Sequence, residues 1–268
     1  MKTIAEPLGV AVDENADSVI RELMWGSPGT MLASIWLHEA DGGTPWADRF
    51  VRDSDLLWQR MTHCAEVGCH LWEQAVYGHR AIHIGAVHGF AGNAFAILRG
   101  WDLLAMEPRI RWSSQLTESF RRTALVEDGL ANWPQSVAMH RPGRTALLVQ
   151  QCHGAPGMVT CFAGFPDASV DDLLVAGGEL IWKAGPLAKG AGFCHGTAGN
   201  GFAFLKLFAR TGDTIWLERA RRFAMHAIEQ SEHALAVHGR RRYTLWTGDP
   251  GLAGCIAGTA QFPTFDIV

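Results

Sequence analysis

Apolar stretches of helical length recur along this chain, and each of them follows a Gly-x-x-Gly turn. The five turns begin at Gly26, Gly89, Gly154, Gly196 and Gly248. In three of them proline stands directly before the second glycine, a place where the first turn of a helix tolerates its missing N–H group. One such motif would be weak evidence. Five motifs with the same downstream pattern predict a helical repeat.

Amphipathic segments lie between the turns. Residues 46–61 and 216–228 place apolar side chains at a spacing of three to four, with charged side chains on the other faces. Residues 112–125 and 171–182 follow the pattern less cleanly. An amphipathic outer helix, a turn and an apolar inner helix make one hairpin, and about five hairpins are visible. The pattern predicts an all-α protein, an α/α toroid or barrel with its turns at one mouth.

Four segments interrupt this rhythm. Residues 1–20 predict no clear element, residues 40–44 a turn and residues 128–144 a longer loop. The apolar run at 147–150 is interpreted as the entry to a loop. None of these segments resembles a linker, so residues 1–268 are predicted to form a single domain.

Composition narrows the class of protein. With 48% apolar residues and a formal charge of −4, the chain can build a core and has no basic balance that would favour nucleic acid. Its six cysteines are thinly spread, which favours a reducing compartment over a disulfide scaffold. Neither a signal peptide nor a membrane span is visible in the hydropathy pattern. We therefore expect a cytoplasmic protein.

Two of the turns share the sequence motif Cys-His-Gly-x-x-Gly, which begins at Cys152-His153 and at Cys194-His195. Two thiolates and one imidazole, with a fourth position open, are typical of catalytic zinc. Cys152, Cys194 and His195 are therefore the candidate ligands of Zn²⁺. A thiol that binds such an ion loses its proton, so the motif favours thiol activation. The other cysteines are interpreted as small buried hydrophobic residues: Cys64, Cys69, Cys161 and Cys255.

Other polar residues near the turns have two interpretations each. His88 directly precedes Gly89, and with His195 on the metal both His88 and His153 could transfer protons. The alternative is that each histidine only caps its turn. Lys189 could hold a substrate carboxylate or be a solvated lysine. The arginines at 240–242 could attract an anionic peptide or form a solvated face.

Several motifs together resemble a known family, the lanthionine synthetase C-like proteins. The resemblance rests on residues 22–29, 88–92, 152–157 and 189–200, and it extends to 245–248 and 262–265. It covers nearly the whole chain. Cys-His at 152–153 is similar to the eukaryotic-type branch, because the bacterial cyclases usually carry tyrosine after this cysteine.

The resemblance implies an α/α barrel with zinc on Cys152, Cys194 and His195. It also implies that a peptide cysteine or glutathione adds to dehydroalanine or dehydrobutyrine and forms a thioether. By the same resemblance His88 acts in proton transfer, and Glu22 stands where the cyclases have an acidic residue, usually aspartate. Lys189 matches a glutathione-contacting lysine, and one arginine at 240–242 is a further candidate contact.

The sequence also departs from this family. The family has seven hairpins, and the first two are missing here. Either the chain is a truncated product, or the open ends of an incomplete ring are closed by another subunit in a homo-oligomer. Leu148 stands where the cyclases tend to have arginine, which disfavours a cyclase. A non-catalytic module that binds zinc and glutathione is therefore an alternative. A glycan-processing barrel would need paired carboxylates, for which Glu22 and Asp249 are the nominees.

Overall fold

The computed structural model describes residues 2–76, 78–137 and 147–257. Contacts divide these residues into two compact units. Unit 1 comprises residues 2–76, 78–123, 135–137 and 164–170, and unit 2 comprises residues 124–134, 147–163 and 171–257. Parts of two segments used above, 141–144 and 262–265, lie outside the described residues.

Unit 1 combines helices with two short β-hairpins. Its helices are α1 (Lys2–Ala16), α2 (Ser27–Asp41), α3 (Thr44–Gln59), α4 (Phe90–Arg99) and α5 (Met106–Arg122). Its antiparallel strand pairs are β1 (Thr62–Cys64) with β2 (Cys69–Leu71), and β3 (Gln74–Val76) with β4 (His79–Ala81). Short 3-10 turns occupy Trp101–Leu103 and Ala168–Val170.

Unit 2 begins with one more hairpin and is otherwise helical. The hairpin pairs β5 (Leu125–Glu127) with β6 (Leu130–Asn132). The helices are α6 (Ala155–Phe162), α7 (Asp171–Ala184), α8 (Thr197–Thr211), α9 (Thr214–His238) and α10 (Asp249–Ile256). No helix in the described part of the chain has the length and hydropathy that a membrane crossing needs.

The predicted repeat is confirmed at all five turns. Helices α2, α4, α6, α8 and α10 each begin within a Gly-x-x-Gly motif, and proline occupies the first turn of three of them. The amphipathic segments became α3, α5, α7 and α9. The all-α class is therefore confirmed. Closure of the repeats into a ring stays a prediction.

Main-chain hydrogen bonds explain why the turns need glycine. The first-turn N–H groups of α8 donate back into the preceding loop. Thr197 donates to the Gly190 carbonyl at 2.9 Å, and Ala198 donates to the Ala191 carbonyl at 3.2 Å. This path brings the Phe193 carbonyl against Gly199, where a Cβ atom would collide with it. Only glycine allows this approach of loop to helix.

Aromatic residues fill the core of each unit. In unit 1 the Trp72 ring stacks on Trp112 at a centroid distance of 6.2 Å, and the Trp112 indole N–H donates to Ser54 (3.0 Å). In unit 2 Phe204 packs edge-on against Phe223 at 5.1 Å and stacks on Trp216 at 6.0 Å. Burial of these large rings stabilises the core of each unit.

The N-terminal segment contradicts its prediction. Residues 1–20 were expected to have no clear element, yet Lys2–Ala16 is helical. Pro7 lies inside this helix and weakens the sequence signal. Tertiary contacts support the helix, because Arg49 and Arg52 of α3 pair with Asp13 at 2.9 and 2.7 Å.

The hairpins were also missed. Each strand is three residues long, too short for an alternating pattern to be read. The loop predicted for 128–144 is wrong at Leu130–Asn132, which is β6. The loop predicted at 147–150 is confirmed, and it ends in a bridge between Gln150 and His153.

Replacing Gly199 by alanine should destabilise the fold. The added methyl group meets the Phe193 carbonyl and the Gln151 side chain, so loop and helix must separate. We expect the free energy of unfolding to fall by about 1–3 kcal/mol, the usual cost of overpacking. Urea unfolding measures this change. The matched control is Gly164→Ala, where a Cβ atom meets nothing within 4 Å. Equal stability of the two variants would contradict the role given to the close approach.

Candidate metal centre

The loop before α6 presents Cys152 at a tight turn. Gln150 and His153 exchange two main-chain hydrogen bonds of 3.0 Å each, which closes the turn around the cysteine. The Asn132 side-chain oxygen accepts the N–H of Ala155 at 2.8 Å and so holds the start of α6. Gly154 between them has a φ of 99°, a conformation that favours glycine. The local sequence therefore fixes the direction of the Cys152 side chain.

The loop before α8 presents the other two candidate ligands. Cys194 and His195 lie in a non-helical turn, as predicted for adjacent residues that face one ion. The two loops are joined by their main chains, since the Cys152 N–H donates to the Cys194 carbonyl at 3.0 Å. The Cys194 N–H donates in turn to the Trp246 carbonyl at 2.7 Å. Three consecutive turns of unit 2 are thus tied together.

This arrangement gathers the three predicted ligands. The Sγ atoms of Cys152 and Cys194 and a ring nitrogen of His195 all lie within 4.8 Å of one another. Cys152 is buried, and the other two residues are half-buried. Among the described residues no other group of three or more His, Cys, Asp or Glu side chains converges in this way. Two sulfurs and one nitrogen suit zinc with one position left open.

The two thiols share a proton. A hydrogen bond from Cys194 lowers the pKa of Cys152 to about 7, against the opposing effect of burial. The same bond, together with burial, raises the pKa of Cys194. Without metal, one thiolate is therefore the favoured state of the pair near neutral pH.

His195 is prepared as a neutral ligand. Burial lowers its pKa, and the positive charges of Lys189 and Arg242 lower it further. A neutral imidazole is the form that coordinates a metal ion. The donor set therefore matches zinc in chemistry as well as in distance.

Sequence analysis missed Gln150, which contacts the sulfur of a candidate ligand. Its side-chain N–H donates to Cys152 Sγ at 2.9 Å, and its side-chain oxygen accepts from Lys189 Nζ at 2.5 Å. A polar residue two positions before the cysteine was the available signal. Lys189 therefore has a partner inside the protein, which the sequence did not indicate.

A cavity of about 900 Å³ opens beside His195 in unit 2. Lys189 and the three arginines at 240–242 are among its lining residues. Arg241 is already bound by Glu232 at 2.6 Å and Ser231 at 2.9 Å, whereas Arg242 is close enough to His195 to influence its pKa. Of the three arginines, Arg242 is therefore the best candidate to meet a ligand near the metal centre.

In unit 1 the structure pairs two residues that the sequence nominated separately, His88 and Glu22. His88 Nδ1 lies 2.8 Å from a carboxylate oxygen of Glu22, which is fully buried. Main-chain N–H groups of Met24 and Trp25 donate to the same carboxylate at 3.0 and 2.6 Å. The Trp25 ring stacks on His88 at 5.4 Å. Because the carboxylate accepts at Nδ1, the proton is held there and Nε2 is set as the second functional nitrogen.

The remaining nominated residues have local roles. His153 helps to close the Cys152 turn through its main chain and does not belong to the cluster of three. The Asp249 carboxylate accepts from the Ser231 hydroxyl at 2.6 Å and from the Arg242 N–H at 3.2 Å. Glu22 serves His88. Nothing in these contacts favours the paired carboxylates of a glycan-processing enzyme.

The described residues thus form a helical repeat whose turns carry a Cys–Cys–His cluster, and comparison with known proteins identifies the family. The family model described as "Lanthionine synthetase C-like protein" matches residues 9–262. The chain belongs to this lanthionine synthetase C-like family.

Two curated relatives are informative. The first is "Glutathione S-transferase LANCL1" of Danio rerio, 30% identical over 197 residues, which are 69% of this chain and 46% of that protein. The second is "LanC-like protein GCL1" of Arabidopsis thaliana, 42% identical over 84 residues, which are 30% of this chain and 19% of that protein. Both are eukaryotic, in agreement with the predicted branch. The matched part spans less than half of either relative.

In metal-free protein we expect one thiol to titrate with an apparent pKa of about 7. Cys194→Ala removes the donor that stabilises the Cys152 thiolate, so the pKa of Cys152 should rise toward its ordinary value of 9.0. The pH dependence of thiolate ultraviolet absorbance measures this. Cys64, Cys69 and Cys255 do not interfere, since burial raises the pKa of each. Cys161→Ala is the control, and an unchanged titration in Cys194→Ala would contradict the shared proton.

Proposed function

We propose that this protein adds a thiol to a dehydroamino acid residue of a peptide, with zinc held by Cys152, Cys194 and His195. The thiol is glutathione or a peptide cysteine, and the acceptor is dehydroalanine or dehydrobutyrine. The observation that carries the proposal is the convergence of two sulfurs and one imidazole nitrogen within 4.8 Å. The zebrafish relative is named as a glutathione S-transferase, which supports glutathione as the thiol.

Zinc at this position would supply a Lewis acid that holds the incoming thiol as a thiolate. The protein supplies the conditions for this. The paired thiols lose a proton easily, and the lowered pKa of His195 keeps its ring neutral. Three ligands from two loops, locked by main-chain hydrogen bonds, leave room for a fourth from the substrate.

The cavity beside His195 favours an anionic thiol. Its lining includes Lys189 and Arg242, and glutathione carries two carboxylates that such cations attract. Arg241 is bound to Glu232 and so contributes less. We assign the binding of the glutathione carboxylates to this part of the cavity.

The addition itself needs one proton. The thiol sulfur bonds to the β-carbon of the dehydroamino acid, the carbon–carbon double bond becomes single, and the α-carbon takes a proton. In this proposal the protonated His88 ring supplies that proton from Nε2, and the proton that the thiol gives up restores the protonated ring. Glu22 lies 2.8 Å from Nδ1 and Trp25 stacks on the ring, so both hold His88 in place. His153, beside Cys152, is the second candidate donor.

Metal analysis tests the ligand set. Purified protein should contain about one zinc per chain, and Cys194→Ala or His195→Ala should lose most of it, because a site with two ligands left binds zinc poorly. Mass spectrometry of the native protein or a zinc indicator measures the content. Cys161→Ala, a buried cysteine on α6 outside the cluster, should keep its zinc. Wild-type protein that takes up no zinc would refute the proposed centre.

A product assay tests the reaction. Zinc-loaded protein, a dehydroalanine peptide and glutathione should give a peptide heavier by one glutathione, detected by mass spectrometry. His88→Ala should slow product formation about 10²–10⁴-fold, the usual contribution of a positioned acid or base. His226→Ala, an exposed histidine on α9, is the matched control.

Two outcomes of this assay separate the alternatives. Glutathione binding without product from the zinc-loaded wild type would replace the enzyme by a binding module. Product from His88→Ala at the wild-type rate would move the proton donor to His153.

A further inference from the structure

Lys189, Gln150 and Cys152 form a continuous hydrogen-bonded chain that ends on the sulfur of a candidate metal ligand. Lys189 Nζ donates to the Gln150 side-chain oxygen at 2.5 Å, and Gln150 Nε2 donates to Cys152 Sγ at 2.9 Å. Lys189 is exposed, whereas Gln150 is only 6% exposed. A surface cation is thus connected through a buried amide to the candidate centre.

The lysine decides which way this amide points. An ammonium group has three donors and no acceptor, so it can bind only the oxygen end of the amide. With the oxygen turned to Lys189, the NH₂ end faces the sulfur. The main chain of Gln150 is also fixed, because it exchanges two hydrogen bonds with His153. Neither the backbone nor the amide of Gln150 can therefore turn away from the sulfur without losing a bond.

We infer that Gln150 is a positioning residue of the metal centre, and that Lys189 acts on the centre through Gln150. The inference rests on the proposed metal site. The N–H···S bond orients the sulfur toward the ion and draws electron density from it, as hydrogen-bonded partners of metal ligands do. The sequence resemblance implies that Lys189 contacts glutathione. Its bond to Gln150 gives it a second role that needs no ligand.

Cobalt(II) in place of zinc makes this role visible, since the sulfur-to-cobalt charge-transfer band reports on the metal–sulfur bond. Gln150→Leu removes the N–H···S bond and keeps a similar side-chain volume. We expect cobalt to bind about 10–100-fold more weakly, the usual cost of losing such a partner, and the band to shift. Gln151→Leu is the matched control, because Gln151 Nε2 has no hydrogen-bond partner among the described residues.

A double-mutant cycle tests whether Lys189 acts on the metal centre through Gln150. Lys189→Met should weaken cobalt binding and shift the band in the same direction as Gln150→Leu. If Lys189 acts through Gln150, Lys189→Met should shift the band less in the Gln150→Leu background than in the wild type, because only the direct charge of Lys189 on the centre is then lost. Lys189→Arg keeps a side chain that can only donate hydrogen bonds, so this variant should keep the wild-type band. Lys183→Met, an exposed lysine on α7 outside the cavity lining, is the control for charge alone.

The outcomes separate this inference from the proposed function. Wild-type protein that binds neither cobalt nor zinc would overturn the metal centre and this inference with it. Cobalt binding by the wild type, with an unchanged band and affinity in Gln150→Leu, would overturn the inference alone. Fully additive effects of Gln150→Leu and Lys189→Met would overturn the relay, because the lysine would then act directly by its charge.

Discussion

The structure depends on main-chain hydrogen bonds that tie three of the five Gly-x-x-Gly turns to the loop before each of them. In α4, α8 and α10 the first helical N–H donates to the carbonyl seven residues earlier, from Phe90 to His83, from Thr197 to Gly190 and from Asp249 to Arg242. These bonds satisfy donors that every helix start leaves open. They also bring a carbonyl so close to the helix that only glycine fits. The main chain therefore enters these three helices by the same path.

The candidate metal centre follows from this constraint. Because the Cys152 N–H bonds to the Cys194 carbonyl, the two loops cannot slide past each other, and their thiols must face one another. Burial alone would keep both thiols protonated. Donors from Cys194 and Gln150, with the charge of Lys189, shift the balance toward one thiolate. The imidazole of His195 is kept neutral by burial and by the same cations.

The unit that holds the centre and the unit that holds the Glu22–His88 pair are built by the same rule. In both, a residue one or two positions before a Gly-x-x-Gly turn is held by a hydrogen bond with a polar side chain. His88 is held by a buried carboxylate, and Cys152 by an amide. The partners differ because imidazole needs an acceptor at Nδ1, whereas a thiolate needs a donor. The same turn geometry can therefore present either an imidazole or a thiol.

Much of the fold and of the site was predictable from the sequence, for a local reason. The five turns, the helices after them and the two Cys-His motifs with the candidate ligands Cys152, Cys194 and His195 are each encoded by residues close together in the sequence. The N-terminal helix and the hairpins were not predictable in this way. Helix α1 contains Pro7 and is supported by Arg49 and Arg52, and the strands are too short to show a period.

The sequence by itself thus determined where the turns fall and which donor atoms stand beside them, because a turn and its neighbours are contiguous along the chain. Only the tertiary structure decided how those atoms are used. It paired Glu22 with His88, placed Gln150 on the Cys152 sulfur and turned Arg241 toward Glu232. These contacts depend on which side chains the packing brings together and on how each donor is oriented. The spacing of residues along the sequence predicts neither.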